Sequence, residues 1–105
     1  MSTIVEMVEQ EVMGWPDMEK VPHRFGGTEF RVSGHEVGHM HGGRWADVPF
    51  SVKRREELVA AGRAELHHIL PDTGWVTYRI SGPESVPGLI ELLRMNYEHY
   101  HRVKV

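Results

Sequence analysis

The chain has 105 residues, of which 40% are hydrophobic and 26% charged, and its formal net charge is −3. This length fits one domain with a modest core, and the composition excludes a wholly disordered chain. The chain has no cysteine, which excludes disulfides and thiolate chemistry, so any metal would be bound by His, Asp or Glu. No apolar run approaches the about 18 residues that cross a bilayer. We therefore expect a cytoplasmic protein without membrane contact, either a monomer or a small homo-oligomer.

The N-terminal half of the chain is predicted to form one helix followed by three strands. Apolar residues recur at helical spacing over residues 3–13, and Gly14 and Pro16 end this helix. Short extended runs separated by glycine-containing breaks then predict three strands, near residues 19–25, 28–33 and 36–41. Residues 42–50 contain glycine, aspartate and proline, and we interpret them as a connection.

The C-terminal half is predicted to contain two helices and two strands. Ser51 is the predicted N-cap of a helix that extends through Ala61. Two strands are expected near residues 64–69 and 75–80. A long helix begins at Ser85 or Pro87 and carries an apolar stripe. The order predicts a single α+β domain over residues 1–105, with a mainly antiparallel sheet of about five strands and the N-terminal, middle and C-terminal helices packed on it.

Residues 35–39 read HEVGH and match the H-E-x-x-H pattern of zinc peptidases. On a helix, the two histidines bind zinc and the glutamate acts as general base. However, Gly38 costs a helix about 1 kcal/mol relative to alanine, and Trp45 stands where the longer motif has its third histidine. In a strand, alternation places the two histidines on one face and Glu36 on the other. We therefore predict a strand and disfavour the peptidase.

Histidines are concentrated near two of the predicted strands. His39 and His41 at i and i+2 direct both imidazoles into one space, and His67 and His68 lie beside another predicted strand. We predict a concave ligand-binding region formed by six residues: His39, His41, His67, His68, Trp45 and Trp75. The same four histidines are the candidates for binding a divalent metal ion. The alternative, that they are ordinary surface or hydrogen-bonded core histidines, stays open.

A metal enzyme would need at least three protein ligands and an open position. His39, His41 and either His67 or His68 supply these ligands only if their strands lie close together. No complete catalytic set is visible elsewhere in the sequence. We therefore predict a non-catalytic module that binds a small molecule or a protein partner, with a His-ligated metal enzyme as the alternative.

A basic run, Lys53-Arg54-Arg55, occupies the first turn of the predicted second helix. This position is unfavourable for cations unless an anion binds there, and such runs are more typical of a solvated face. The acidic net charge argues against phosphate-driven binding of nucleic acid. We expect at most weak, salt-dependent binding of nucleic acid.

Residues 23–50 and 58–80 contain a spaced set of histidines, glycines, prolines and aromatic residues: His23, Gly26-Gly27, His39, His41, Asp47, Pro49-Phe50, Gly62, His67-His68, Pro71 and Gly74-Trp75. With these features the two segments resemble small bacterial proteins of the luciferase-domain family. The resemblance implies the family's domain but assigns no reaction. The order of elements is also similar to MmcQ/YjbR-like domains, which implies the α+β layout and keeps weak nucleic-acid binding as an alternative function.

Overall fold

The computed structural model describes residues 2–23 and 26–101, and over these residues the chain forms three α-helices and six strands. The helices are α1 (Ile4–Val12), α2 (Val52–Ala60) and α3 (Val86–Tyr100). The strands are β1 (Glu19–Pro22), β2 (Thr28–Val32), β3 (His35–His41), β4 (Trp45–Val48), β5 (Glu65–Leu66) and β6 (Val76–Arg79). Arg24 and Phe25, which the prediction included in the first strand, lie outside the described residues. None of the described helices is long and apolar enough to cross a membrane.

The first two helices begin at side-chain caps that are visible in the sequence. The Thr3 hydroxyl accepts a hydrogen bond from the backbone N–H of Glu6, and the Glu6 carboxylate accepts one from the backbone N–H of Thr3. The Ser51 hydroxyl accepts from the backbone N–H of Arg54 at 3.1 Å, so the predicted N-cap of α2 is confirmed.

The sheet has the order β1-β2-β3-β4-β6-β5, and every neighbouring pair is antiparallel. The predicted α+β architecture is confirmed, with six strands in the described chain instead of about five. Strand β4 lies within residues 42–50, and our interpretation of those residues as a connection was wrong. It was missed because it has only four residues, ends next to Pro49, and places the charged residue Asp47 where a sheet strand is usually apolar.

The core lies between one face of the sheet and the helices α1 and α3. Phe30, Met40 and Val48 of the sheet are almost fully buried, as are Leu89 and Leu93 of α3. The strand β3 comes very close to α3 at Gly38, where an added Cβ would lie 2.7 Å from Leu93 Cδ2. The next residue on β3, His39, alternates to the opposite face of the sheet, which carries the candidate site.

Strand β3 contains a β-bulge at Val37. Phe30 of β2 pairs with Gly38, whereas the next residue, Arg31, pairs with Glu36, so Val37 is an extra residue without a partner in the ladder. A bulge interrupts the alternation of side chains along a strand. Val37 is fully buried in the core, whereas simple alternation would have placed it on the opposite face.

The bulge changes the interpretation of the HEVGH segment. The segment is a strand, as predicted, but Glu36 lies on the same face as His39, with its Oε2 atom 2.6 Å from His39 Nδ1. The predicted separation of Glu36 from His39 was therefore wrong. His35 instead stacks on Tyr100 of α3, with 4.4 Å between ring centroids. The two histidines of the segment do not converge, so the geometry of a zinc peptidase is absent from it.

The loop at residues 67–75 is hydrogen-bonded to α2 and packs on Phe50, which precedes that helix. The Arg55 guanidinium donates hydrogen bonds from Nη1 to the carbonyl oxygens of Pro71 at 3.0 Å and Thr73 at 2.7 Å. Gly74 packs directly on Phe50, and a Cβ at position 74 would lie 1.7 Å from the Phe50 carbonyl oxygen. Arg55 of the basic run thus stabilises the loop through hydrogen bonds and is not part of a solvated face.

Candidate functional site

A row of polar residues crosses the sheet on the face opposite α3. In the register of the sheet, Glu29 pairs with His39, His39 pairs with Asp47, and Asp47 pairs with Thr77. Residues paired in this way have Cβ atoms about 5 Å apart, which is within reach of side-chain contact. The row therefore brings together residues that are up to 48 positions apart in the sequence.

Asp47 is the centre of the candidate site and is only 2% exposed. Its Oδ2 atom lies 3.0 Å from His41 Nε2, 3.3 Å from His39 Nε2 and 3.5 Å from His67 Nε2. The other oxygen, Oδ1, accepts a hydrogen bond from the Thr77 hydroxyl at 2.8 Å. Three imidazoles from two separate chain segments therefore converge on one buried carboxylate oxygen.

The electrostatics of the cluster favour a charged pair between Asp47 and His39. Burial lowers the pKa of His39, but hydrogen bonds with Asp47 and Glu36 and the charges of both carboxylates outweigh it and raise the pKa to about 9. Burial favours the neutral form of Asp47, yet hydrogen bonds from His39 and Thr77 keep its pKa well below the usual range. Burial lowers the pKa of His67, with the charge of Asp47 opposing this shift.

In two histidines of the cluster, the outer ring nitrogen, Nδ1, is hydrogen-bonded to a carboxylate. Nδ1 of His39 lies 2.6 Å from Glu36 Oε2, and Nδ1 of His23 lies 3.2 Å from Glu29 Oε1. Glu29 is itself bound by Arg31. Because a carboxylate accepts hydrogen bonds, each Nδ1 carries the proton and the lone pair of a neutral ring is on Nε2. Metal-binding histidines commonly have this kind of outer partner.

His67 and His68 have different surroundings. The Nδ1 atom of His67 accepts hydrogen bonds from two backbone N–H groups, those of Ile69 at 3.1 Å and Leu70 at 3.0 Å. His68 is exposed, and its Nδ1 lies 3.4 Å from the Thr77 hydroxyl oxygen. The structure thus brings His39, His41 and His67 together around Asp47 and leaves His68 at the edge of the cluster.

The two tryptophans of the predicted site lie beside the histidines. The Trp75 ring is 5.5 Å from His39 and 6.2 Å from His67 between centroids. The Trp45 ring stacks on His41 at 4.9 Å and meets His68 edge-on at 6.0 Å. Each tryptophan thus lies against two of the four predicted histidines.

Two cavities of the described chain lie away from the histidine cluster. One, of about 420 Å³, lies between α2 and the end of α3 and is lined by Phe50, Arg54 and Tyr100 among others. The other, of about 570 Å³, lies beside Trp15 and Arg94. The histidine cluster lies outside both cavities, on the sheet face.

Potential ligand atoms of His23, His39 and His41 lie within 4.8 Å of one another, as do those of Asp47, His67 and His68. Our sequence reasoning included neither His23 nor Asp47 in the site, and it did not predict the contacts of Glu36 and Thr77 there. His23 and Asp47 were among the residues that carried the family resemblance, which was the signal that could have identified them. Asp47 was missed because β4 was interpreted as a connection.

The family model described as Luciferase domain matches residues 34–96. This segment contains β3, β4, β6 and the loop that carries His67, whereas His23 lies outside it. Comparison with the curated proteins and with the solved structures gave no significant match.

Proposed function

This chain belongs to the luciferase-domain family, and we propose that it binds a divalent transition-metal ion, such as zinc, through His39, His41 and Asp47. The observation that carries the proposal is the convergence of imidazole Nε2 atoms on one buried oxygen, Asp47 Oδ2. Imidazole nitrogens and carboxylate oxygens are common ligands of such ions.

The distances from Asp47 Oδ2 to the two proposed histidine ligands suit a shared ion. In a tetrahedral site with ligands about 2.0–2.1 Å from zinc, neighbouring ligand atoms lie about 3.3 Å apart. The Asp47 Oδ2 atom lies 3.0 Å from His41 Nε2 and 3.3 Å from His39 Nε2. Both distances are close to the value expected for two ligands of one zinc ion.

The outer contacts of the ligands also support a metal ion. Glu36 on Nδ1 of His39 directs the lone pair of the neutral imidazole through Nε2 towards Asp47. The Thr77 hydroxyl occupies Asp47 Oδ1 and leaves Oδ2 to face the histidines. His23 lies next to the proposed ligands, since its potential ligand atom is within 4.8 Å of those of His39 and His41.

A bound ion would give the domain a place to bind a small molecule. Three protein ligands leave at least one coordination position of zinc open. The rings of Trp45 and Trp75 beside the cluster would then form the sides of the ligand site. The proposal concerns binding and assigns no reaction to the family domain.

The test is elemental analysis and calorimetric zinc titration of protein purified without a histidine tag. We expect one tightly bound ion per chain in the wild type, and loss of that ion in His39→Ala, His41→Ala and Asp47→Asn. The matched control is His35→Ala, which removes a histidine from the same strand but not from the cluster, and it should keep full stoichiometry. Absence of metal binding by the wild type, or loss of the ion in His35→Ala, would contradict the proposal.

A further inference from the structure

His67 differs from the proposed ligands in the partner of its outer nitrogen. In His39, Nδ1 faces a carboxylate, which is an acceptor, whereas in His67 Nδ1 faces two backbone N–H groups, which are donors. A nitrogen that accepts two hydrogen bonds carries no proton, so the proton of the neutral His67 ring is on Nε2. A protonated nitrogen has no lone pair for a metal ion. The loop therefore holds His67 in the form that cannot bind a metal through Nε2.

We propose that His67 is a hydrogen-bond donor to an exogenous anionic oxygen ligand bound at the open position of the metal ion, and not a ligand of the ion itself. This inference rests on the proposed metal site. The His67 donor lies beside the proposed metal site, since His67 Nε2 is 3.5 Å from Asp47 Oδ2, one of the proposed ligand atoms. That distance exceeds the usual N–H···O hydrogen bond of about 2.7–3.2 Å, so the contact with Asp47 is long and an oxygen ligand closer to Nε2 would be a better acceptor.

The charge of the proposed site favours an anion at the open position. A divalent cation held by one carboxylate and neutral imidazoles retains a net positive charge, and His39, Asp47 and His67 are buried from water. A carboxylate or another oxyanion would neutralise this charge through one oxygen. His67 Nε2–H would bind the same or the neighbouring oxygen and add to the affinity for the anion, since hydrogen bonds to charged groups are the stronger ones.

The test uses acetate as the probe and cobalt(II) as a spectroscopic substitute for zinc. In the cobalt-loaded wild type, acetate should change the visible absorption spectrum with saturable binding. In His67→Phe, cobalt should bind with unchanged stoichiometry, but the acetate affinity should fall about 10-fold or more, because a charge-assisted hydrogen bond is lost. In His67→Gln, whose side-chain amide keeps a donor, part of that affinity should return.

A second measurement does not depend on any substitution. Long-range ¹H–¹⁵N spectra of the metal-free and zinc-loaded wild type should both show His67 with its proton on Nε2, while the Nε2 signals of His39 and His41 shift on zinc binding. A zinc-induced shift of His67 Nε2, loss of cobalt from His67→Phe, or unchanged acetate affinity in that variant would each overturn the inference. Absence of metal from the wild type would overturn the proposed function as well, which separates the two failures.

Discussion

Replacing Asp47 by asparagine should alter the pH dependence of the stability of the metal-free protein. The pKa of His39 is raised from 6.5 to about 9 by its two carboxylate partners, Asp47 and Glu36. A shift of this size corresponds to about 3 kcal/mol, since one unit is about 1.4 kcal/mol. Allowing for solvent screening and for the share of Glu36, we assign about 1–2 kcal/mol to the contact with Asp47.

The sign of the effect follows from the raised pKa of His39. Its stabilisation is fully present below pH 6.5, where His39 is protonated in both states, and it is lost as the pH rises through 9. The wild type should therefore lose free energy of unfolding between pH 6.5 and pH 9. Asp47→Asn should be less stable than the wild type at pH 6 by about 1–2 kcal/mol, and the difference should shrink towards pH 9.

The assay is urea unfolding of chelator-treated protein at pH 6, 7.5 and 9, with the same m-value required of both proteins. Asp17→Asn is the matched control, because Asp17 also pairs with a histidine, His101 at 3.0 Å, but its side chain is 76% exposed. Its pH dependence should match the wild type. Equal slopes for the wild type and Asp47→Asn would show that the charged pair with His39 contributes nothing, and would refute the reasoning.

Three further experiments test other parts of the structure. Glu36→Gln should still bind the metal ion, but with an affinity about 10–100-fold weaker, because the hydrogen bond to Nδ1 of His39 is weakened. Competition with a chelator measures this affinity, and an unchanged value would contradict the role of Glu36. Gly74→Ala should lower the free energy of unfolding by about 1–3 kcal/mol, since its Cβ would overlap the Phe50 carbonyl oxygen. In a fluorescence anisotropy titration at physiological salt, nucleic acid should bind weakly at most. Tight binding that is lost on replacement of Lys53, Arg54 and Arg55 would contradict the inference from the acidic net charge.

Local signals in the sequence were sufficient to predict the helices and the fold class. Ser51 caps α2 through a hydrogen bond to a residue three positions away, so the information is contained in a short segment. The same applies to the apolar spacing of α1 and α3. Strand β4 has no such signal, because Asp47 is accommodated in it by partners from β3, β6 and the loop after β5.

The candidate site was predicted only in part, because some of its contacts follow from local sequence and others from the pairing of strands. The i, i+2 spacing of His39 and His41 was enough to place them on one face of a strand. The contact of Glu36 with His39 depends on a bulge whose register is set by β2, and the state of His67 depends on how the backbone turns at Ile69 and Leu70. These relations involve pairing and backbone geometry that side-chain patterns do not encode.

The bulge at Val37 has a consequence for comparisons among related sequences. The bulge places His35 against Tyr100 of α3 and Glu36 against His39 of the cluster, so these two adjacent residues are under different structural constraints. His35 should therefore co-vary with Tyr100, on which it stacks, whereas Glu36 should co-vary with His39, whose ring nitrogen it binds. A search by the letters H-E-x-x-H would rank relatives by His35, although that residue could be exchanged together with Tyr100 without any change to the histidine cluster.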